Sequence, residues 1–377
     1  MTLPRGQWPL YAVGFLAFFT MGLLQAGYGP SYPTLAREFQ LTLDRVAFVT
    51  SLHFFGSASG PLLLGVLLTR LSLRNGLGLG SLLLVLGVAG VALASSWPLL
   101  LAAALLGGLG FGMLSAGFNL VFAELGPGPA NLVNGVFGVG SVVSPLLVLA
   151  AGQQAHAPPF WMIGVLAAVL VPGVRVLRPR PVQAAQEQGA DGWSRPLLAL
   201  FLLAFFLYVG IETGLGSWIT AYLQAQRSPR PELITSLYWL ALTVGRFVFA
   251  FLGSRVSMFA TLLFGSAGAA LCALAAALPV AAPVAFVLAG FCVAPLFATL
   301  LSWLTRVLPS TLAPYALTVG SLGGAVLPAL SGLLSRQFGM VSIPLTSAAV
   351  AALLLALVLL IRRQAGSSRP RQPQQSL

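Results

Sequence analysis

The sequence predicts an all-α integral membrane protein whose twelve transmembrane helices form two pseudo-symmetric six-helix bundles. Hydrophobic residues make up 58% of the 377 residues and charged residues only 7%, with a mean hydropathy of +0.95. A soluble domain carries about 25% charged residues, so this composition places the chain in a bilayer. Apolar stretches of about 20 residues, enough to cross the hydrocarbon core, recur along the chain, and its first half is repeated in the second.

The repeat is visible in several short segments. The run Leu-Ala-Phe-Phe at 16–19 returns at 203–206, and the Gly-x-Gly at 27–29 returns at 214–216. The Arg-x-Ser at 70–72 returns at 255–257, while Gly140 and Pro145 return as Gly323 and Pro328. Both copies run in the same direction, which in a membrane protein indicates two halves that rock around a central site. A residue and its counterpart are therefore expected at matching depths.

Breaks at proline, glycine and charged residues divide the chain into twelve predicted helices. The first six cover 8–32, 43–69, 75–95, 97–123, 130–151 and 159–177, and the last six cover 196–223, 232–253, 258–278, 281–305, 312–335 and 341–361. The first stretch is too long for a signal peptide and has a counterpart at 203–223, so it is counted as a helix.

The same pattern predicts the domain organisation. Residues 1–177 form the N-terminal bundle, 178–195 a polar cytoplasmic linker, 196–362 the C-terminal bundle and 363–377 a disordered cytoplasmic tail. Thirteen of the 19 arginines fall on the side of the N-terminus and five on the other side. By the positive-inside rule both termini are cytoplasmic, in a multi-pass protein of the plasma membrane. The charge of +12 is thus explained by topology, and no nucleic-acid partner is expected.

Six plus six predicted helices joined by a polar inner linker resemble the major facilitator superfamily. That family carries Gly-x-x-x-Asp-Arg-x-Gly-Arg-Arg/Lys after helix 2, and Gly65, Arg70 and Arg74 match it. Thr69 stands in place of the acid, and the second copy keeps Arg255. The resemblance implies that helices 1, 4, 7 and 10 line a central cavity, and that Arg70, Arg74 and Arg255 have gating or structural roles on the inner side.

Three stretches resemble the fucose–proton symporter branch of the superfamily, namely 208–218, 245–247 and 294–297. That branch carries acidic residues in helices 1 and 4. Here helix 1 contains no acid, and helix 4 has only Asn119 and, at its inner end, Glu124. The glycine-rich signature of drug–proton antiporters in helix 5 lacks its final glycine pair. The resemblance therefore implies a sugar carrier, with a proton-coupling residue elsewhere.

Glu212 in helix 7 is the first candidate for proton coupling and for substrate binding. Its counterpart is Gln25 in helix 1, which is also a candidate substrate ligand, and glycines flank both residues. Burial in an apolar cavity disfavours the charged form of a carboxylate, so such a group is suited to take up and release protons. The alternative is a structural carboxylate that fixes a bend in helix 7.

His53 in helix 2 is the second candidate for proton coupling, since imidazole titrates near neutral pH, and it is also a candidate substrate ligand. Its counterpart, Tyr238, is a candidate substrate ligand, and the pair is expected to share one environment. The alternative for His53 is an interhelical hydrogen bond. Arg246 is placed about 12 Å below Glu212 by counting residues from the inner helix ends. A direct ion pair is therefore not expected if the helices are straight, and Arg246 is assigned mainly to the inner gate.

Further candidate substrate ligands are amide and aromatic side chains. Asn119 can donate to and accept from a sugar hydroxyl, whereas Asn134 is expected to be structural. Tyr28, Trp218 and Trp239 are candidates to stack on a sugar ring. Their alternative role is to anchor helix ends at the membrane interface.

These residues predict a secondary active transporter of a small polar solute, with a neutral sugar preferred, by proton-coupled symport and alternating access. The alternatives are a proton-coupled drug or metabolite exporter and a facilitative sugar uniporter. The chain has two histidines and no paired carboxylates, so an enzyme is not expected. No metal or cofactor is implied, the proton gradient being the driving force, and a monomer is expected.

Overall fold

The computed structural model describes residues 7–152, 154–177, 193–252 and 255–367, without the side chains of 127, 250–252, 310 and 366–367. Within these residues, twelve helices are long and apolar enough to cross a membrane. They are α1 Trp8–Glu38, α2 Leu43–Leu68, α3 Leu73–Ala92, α4 Trp97–Glu124, α5 Pro127–Ala150, α6 Ala157–Arg175, α7 Arg195–Ala225, α8 Pro231–Leu252, α9 Met258–Ala275, α10 Ala282–Val307, α11 Ala313–Phe338 and α12 Ser342–Ser367. The predicted all-α fold with twelve transmembrane helices is confirmed.

Some helix bounds differ from the prediction. α1 continues to Glu38 through Pro30 and Pro33, because a membrane bundle tolerates prolines that would end an isolated helix. α10 is interrupted at 294–295, where Pro295 supplies no backbone N–H. α12 continues to Ser367, five residues into the predicted tail. The rest of that tail, 368–377, and most of the predicted linker, 178–192, lie outside the described residues.

The internal repeat is present in the packing. Gly140 of α5 lies against the carbonyl of Phe19 on α1, and Gly323 of α11 lies against the carbonyl of Phe206 on α7. Ser72 and Ser257 are also equivalent, since each caps the N-terminus of a helix by accepting a backbone N–H bond, at 3.4 Å and 3.1 Å. The outward faces carry exposed apolar side chains, as a lipid-facing surface requires.

Among the described residues, the halves pack against each other through α1 with α7, α2 with α11, and α5 with α8. We call the side of the α1–α2 and α7–α8 loops the outer side. There a β-carbon on Gly29 would come within 2.5 Å of the Ser217 Cα, so α1 and α7 touch through their backbones. The Ser236 hydroxyl of α8 donates to the Val142 carbonyl of α5 at 2.7 Å. The halves are therefore closed against each other on the outer side.

Candidate functional site

Glu212 and Arg246 form an ion pair in the C-terminal half. The Nη2 of Arg246 on α8 lies 3.1 Å from both carboxylate oxygens of Glu212 on α7. The hydroxyl of Tyr208 donates to Glu212 Oε2, and the same Nη2 donates to that hydroxyl at 3.4 Å. We call these three residues the central cluster. Its carboxylate, guanidinium and phenol are mutually hydrogen-bonded, and the ion pair is electrically neutral.

The helices hold this cluster from three sides. Tyr208 precedes Glu212 by four residues, so both side chains lie on one face of α7. The Tyr238 hydroxyl of α8 donates to the backbone carbonyl of Glu212 at 2.9 Å, which ties α7 to α8 at this level. From α10, the ring of Phe297 packs 5.9 Å from that of Tyr208. The carboxylate is thus fixed by its own helix and by two neighbouring helices.

The ion pair corrects the expectation that Glu212 and Arg246 lie too far apart in depth. α7 is 31 residues long and α8 is 22, so their inner ends are not level and are a poor reference. Their outer ends are joined by the short loop 226–230 and must lie close together. Glu212 is thirteen residues from the outer end of α7, and Arg246 fifteen from that of α8. These counts place Glu212 about 20 Å and Arg246 about 22 Å below the outer helix ends. The two residues therefore lie at nearly the same depth.

The two charges differ in exposure. The side chain of Glu212 is 9% exposed and that of Arg246 is 31% exposed. Within the described part of the chain, the hydrogen bonds of the guanidinium all come from Nη2. Nε and Nη1 therefore remain as donors for an oxygen acceptor. The cluster can present hydrogen-bond donors to a solute while its own carboxylate stays compensated.

His53 is fully buried in an aromatic environment. Its ring lies 5.1 Å from that of Tyr28, 5.6 Å from Phe54 and 5.2 Å from Phe111. Neither of its nitrogens has a hydrogen-bond partner among the described residues. Its counterpart Tyr238 instead bonds to Glu212 and packs on Trp239. The expectation of one shared environment for His53 and Tyr238 is therefore wrong, because the helices around the two positions carry different side chains.

The structure separates the aromatic candidates. Trp218 is buried on the outer side, where its Nε1 donates to the Pro328 carbonyl at 2.9 Å and its ring meets Tyr32 edge-on at 5.4 Å. These contacts make it part of the outer closure, six residues beyond Glu212 on α7. Trp239 packs on Gly216, and its Nε1 has no partner among the described residues.

The candidate amides and the inner-side arginines Arg70, Arg74 and Arg255 lie apart from the central cluster, whereas Arg246 belongs to it. Asn134 donates to the Asn119 oxygen at 3.4 Å and to the Ala130 carbonyl at 2.8 Å. Gln25 is partly exposed on α1, outside the cluster. The arginines assigned to inner gating are exposed (Arg70, Arg255) or partly exposed (Arg74) in loops and helix ends. Their gating role remains a prediction.

Tyr208 is a site residue that the sequence reasoning missed. The signal was available, because a tyrosine four residues before a buried acid lies beside it on the same helix face. Asp44 of α2 was also missed. Its carboxylate lies 3.5 Å from Arg336 of α11, and no counterpart in the repeat pointed to this contact.

The family model of the Major Facilitator Superfamily matches residues 14–319. The chain belongs to this superfamily. It is a multi-pass membrane transporter, and the superfamily consists of transporters rather than enzymes.

Two of the curated relatives carry the names of sugar transporters. The glucose/mannose transporter GlcP of Bacillus subtilis (strain 168) is 24% identical over 274 residues, covering 67% of this chain and 68% of that protein. Sodium-dependent glucose transporter 1 of Rattus norvegicus is 29% identical over 156 residues, 40% of this chain and 32% of that protein.

Solved structures share the fold. The fucose:proton symporter FucP, in its outward conformation, has a TM-score of 0.67 at 19% identity, covering 96% of this chain and 99% of that one. The nucleoside transporter NupG has a TM-score of 0.73 at 15% identity, covering 95% of this chain and 99% of that one. At these identities the likeness concerns the fold, and the predicted resemblance to the fucose-symporter branch is confirmed at that level.

Proposed function

We propose that this chain is a proton-coupled symporter of a neutral sugar in the plasma membrane, with both termini cytoplasmic and a monomer as the working unit. The central cluster carries the proposal, because it combines a buried titratable acid with a partly exposed guanidinium. The names of GlcP and FucP support a sugar as solute. The neutral ion pair also favours an uncharged solute over an anion.

The ion pair suggests how proton and sugar are linked. Protonation of Glu212 removes the charge that holds Arg246, so the guanidinium can turn its donors toward a sugar oxygen. Binding of that oxygen in turn weakens the ion pair and favours protonation. The two ligands therefore assist each other, as linkage requires. The Tyr208 hydroxyl remains beside the carboxylate in both states and positions it.

Other side chains are assigned to binding and gating. We propose that Gln25 and Asn119 contact the solute from the N-terminal half, with Tyr238 holding the backbone of Glu212 on the opposite side. Arg70, Arg74 and Arg255 act in closing the inner side, and Trp218 in closing the outer side. The halves 1–177 and 196–362 rock against each other.

A facilitative sugar uniporter is the second candidate, favoured by one observation. The carboxylate of Glu212 is already satisfied by Arg246 and Tyr208, so it can serve as a fixed binding group that never exchanges its proton. The exporter of cationic drugs is less favoured, because its acid would have to be free to pair with the drug rather than held by an arginine.

Uptake into proteoliposomes tests the proposal. Labelled glucose, mannose, fucose and a nucleoside are offered with an inward proton gradient, with wild type beside Glu212→Gln and the control Glu124→Gln at the inner end of α4. We expect the gradient to drive accumulation of a sugar in wild type and the control. Glu212→Gln should lose accumulation but keep exchange of labelled for unlabelled sugar. Uptake that ignores the gradient in wild type would establish the uniporter instead.

A further inference from the structure

Three buried side chains carry polar atoms without a hydrogen-bond partner among the described residues: the Tyr28 hydroxyl, both ring nitrogens of His53 and the indole nitrogen of Trp239. Their exposed fractions are 1%, 0% and 3%. Buried polar groups are almost always paired, and an unpaired one calls for an explanation.

Several other buried aromatic hydroxyls and indoles among the described residues are paired. Tyr32 donates to Thr50 at 2.7 Å, Tyr222 to the Ala276 carbonyl at 2.8 Å and Trp218 to the Pro328 carbonyl at 2.9 Å. The fold is thus able to satisfy such groups. That the unpaired ones concentrate on three residues suggests a site rather than scattered defects.

These three side chains lie in one layer of the molecule. Tyr28 and His53 are each ten residues from the outer end of α1 and α2, and Trp239 is eight from that of α8. The layer therefore lies about 12–15 Å below the outer helix ends. The central cluster lies further in, about 20–22 Å below the same ends.

Contacts connect the layer across the two halves. The rings of Tyr28 and His53 are 5.1 Å apart. Gly29, next to Tyr28, touches α7 at Gly216 and Ser217, and Trp239 packs on Gly216. Tyr28 and Trp239 thus flank the place where α1 and α7 cross.

The chemistry of the layer is that of a receptor for a polyol. A phenol and a neutral imidazole both donate and accept, as sugar hydroxyls do, and an indole donates while offering a flat apolar face. The ring contacts of the three side chains are with Phe54, Phe111, Phe160 and Tyr238. No charged group is among these contacts, so the layer is suited to an uncharged ligand.

We propose that Tyr28, His53 and Trp239 form an outer polyol-binding layer whose polar atoms are paired by the hydroxyls of a sugar ring. In the outer-closed conformation described above, the contact of Gly29 with Ser217 lies at the depth of the layer, where α1 and α7 cross between Tyr28 and Trp239. A sugar reaches it only when α1 and α7 separate. Binding at the layer therefore favours the outer-open conformation and precedes transfer to the central cluster.

The proposal rests on the proposed function and refines it, since it names a second set of ligands for the same solute. It makes an unusual prediction about stability. Tyr28→Phe removes an unpaired buried hydroxyl, so the sugar-free protein should melt at the same or a higher temperature. The same variant should bind sugar at least fivefold more weakly.

A matched control loses a hydroxyl that is paired. Tyr222→Phe breaks the bond to the Ala276 carbonyl, so the melting temperature should fall while sugar affinity stays at the wild-type value. Trp239→Phe should weaken sugar binding and keep the fold. Equilibrium binding of labelled sugars to purified protein, with thermal unfolding of the same samples, measures both effects.

The outcomes separate the two proposals. Sugar affinity that is unchanged in both Tyr28→Phe and Trp239→Phe overturns the outer layer, while sugar transport by wild type leaves the proposed function standing. A lowered melting temperature in Tyr28→Phe also overturns it, since the hydroxyl would then be paired in the protein. If wild type neither binds nor transports any sugar, both proposals fail together.

Discussion

Asp44 of α2 and Arg336 of α11 join the two halves of the transporter at the outer side. Their side chains lie 3.5 Å apart, with Asp44 5% exposed and Arg336 63% exposed. Gly332, one turn before Arg336, packs against the Cα of Asp44. The ion pair therefore belongs to the outer closure and is broken whenever α2 and α11 separate.

Breaking this pair should shift the population toward the outer-open state. Because Arg336 is largely exposed, the pair contributes at most about 1 kcal/mol, so Arg336→Gln should raise the outer-open fraction by less than about fivefold. Spin labels in the outer loops at Gln40 and Ser228 report the separation of the halves. Arg227→Gln, in the same outer loop as Ser228, is the control. If the distance distribution of Arg336→Gln is identical to that of wild type, the ion pair does not contribute to closing the outer side.

Substitutions within the central ion pair should be strongly non-additive. Removing one member of a buried pair leaves an uncompensated charge, which lowers the free energy of unfolding by about 3–5 kcal/mol. Because Arg246 is partly exposed, we expect a loss near the lower figure. Glu212→Gln and Arg246→Gln together should cost less than their sum by at least about 1 kcal/mol. Denaturant unfolding of all four proteins measures this, and simple additivity would mean that the two side chains do not interact.

The contact of α1 with α7 should not tolerate a larger residue at Gly29. A β-carbon there would come within 2.5 Å of the Ser217 Cα and 2.7 Å of the Gly216 carbonyl oxygen, so Gly29→Leu holds the outer side open. Net uptake should fall at least tenfold, while binding of sugar from outside persists.

Gly214 supplies the matched control for this test. A β-carbon at Gly214 meets nothing within 4 Å, so Gly214→Ala should transport at close to the wild-type rate. Equal losses in both variants would point to a general intolerance of side chains in these helices rather than to a gate.

His156 ties the outer ends of α1 and α3 to the start of α6. Its Nδ1 lies 2.6 Å from Glu38 Oε2 and its Nε2 lies 2.9 Å from the Val91 carbonyl oxygen. Both partners are oxygen acceptors, a carboxylate and a backbone carbonyl. His156→Phe should lower stability by about 1–2 kcal/mol, since Glu38 is partly solvated, without altering sugar affinity. Thermal unfolding measures the loss of stability, and equilibrium binding checks that the sugar affinity is unchanged.

The twelve helices could be predicted because the span of a bilayer sets a length that each apolar stretch must reach. The internal repeat could be predicted too, and its residues explain why: Gly140 and Gly323 are kept for the same helix crossing, and Ser72 and Ser257 for the same cap. These features depend on local sequence and on the requirement to span the membrane, and a single sequence reveals both.

The ion pair of Glu212 with Arg246 could not be predicted, since depth counted from the inner ends misplaced Arg246. The relative depths of α7 and α8 in the membrane depend on tertiary packing. Here the short outer loop fixes them, and composition does not reveal them. The contact of Asp44 with Arg336 depends in the same way on how the two halves meet. Tyr208, in contrast, could have been found from its helical spacing to Glu212.

If Glu212 exchanges a proton as sugar moves, adding sugar should trigger a proton flux that can be measured in proteoliposomes. A pH-sensitive dye outside proteoliposomes of the wild type, with no gradient imposed, is followed when the sugar is added. Proton exchange at Glu212 predicts alkalinisation outside in wild type and none in Glu212→Gln, which still exchanges labelled sugar. Sugar uptake by wild type without any pH change, or the same pH change in Glu212→Gln, would contradict it.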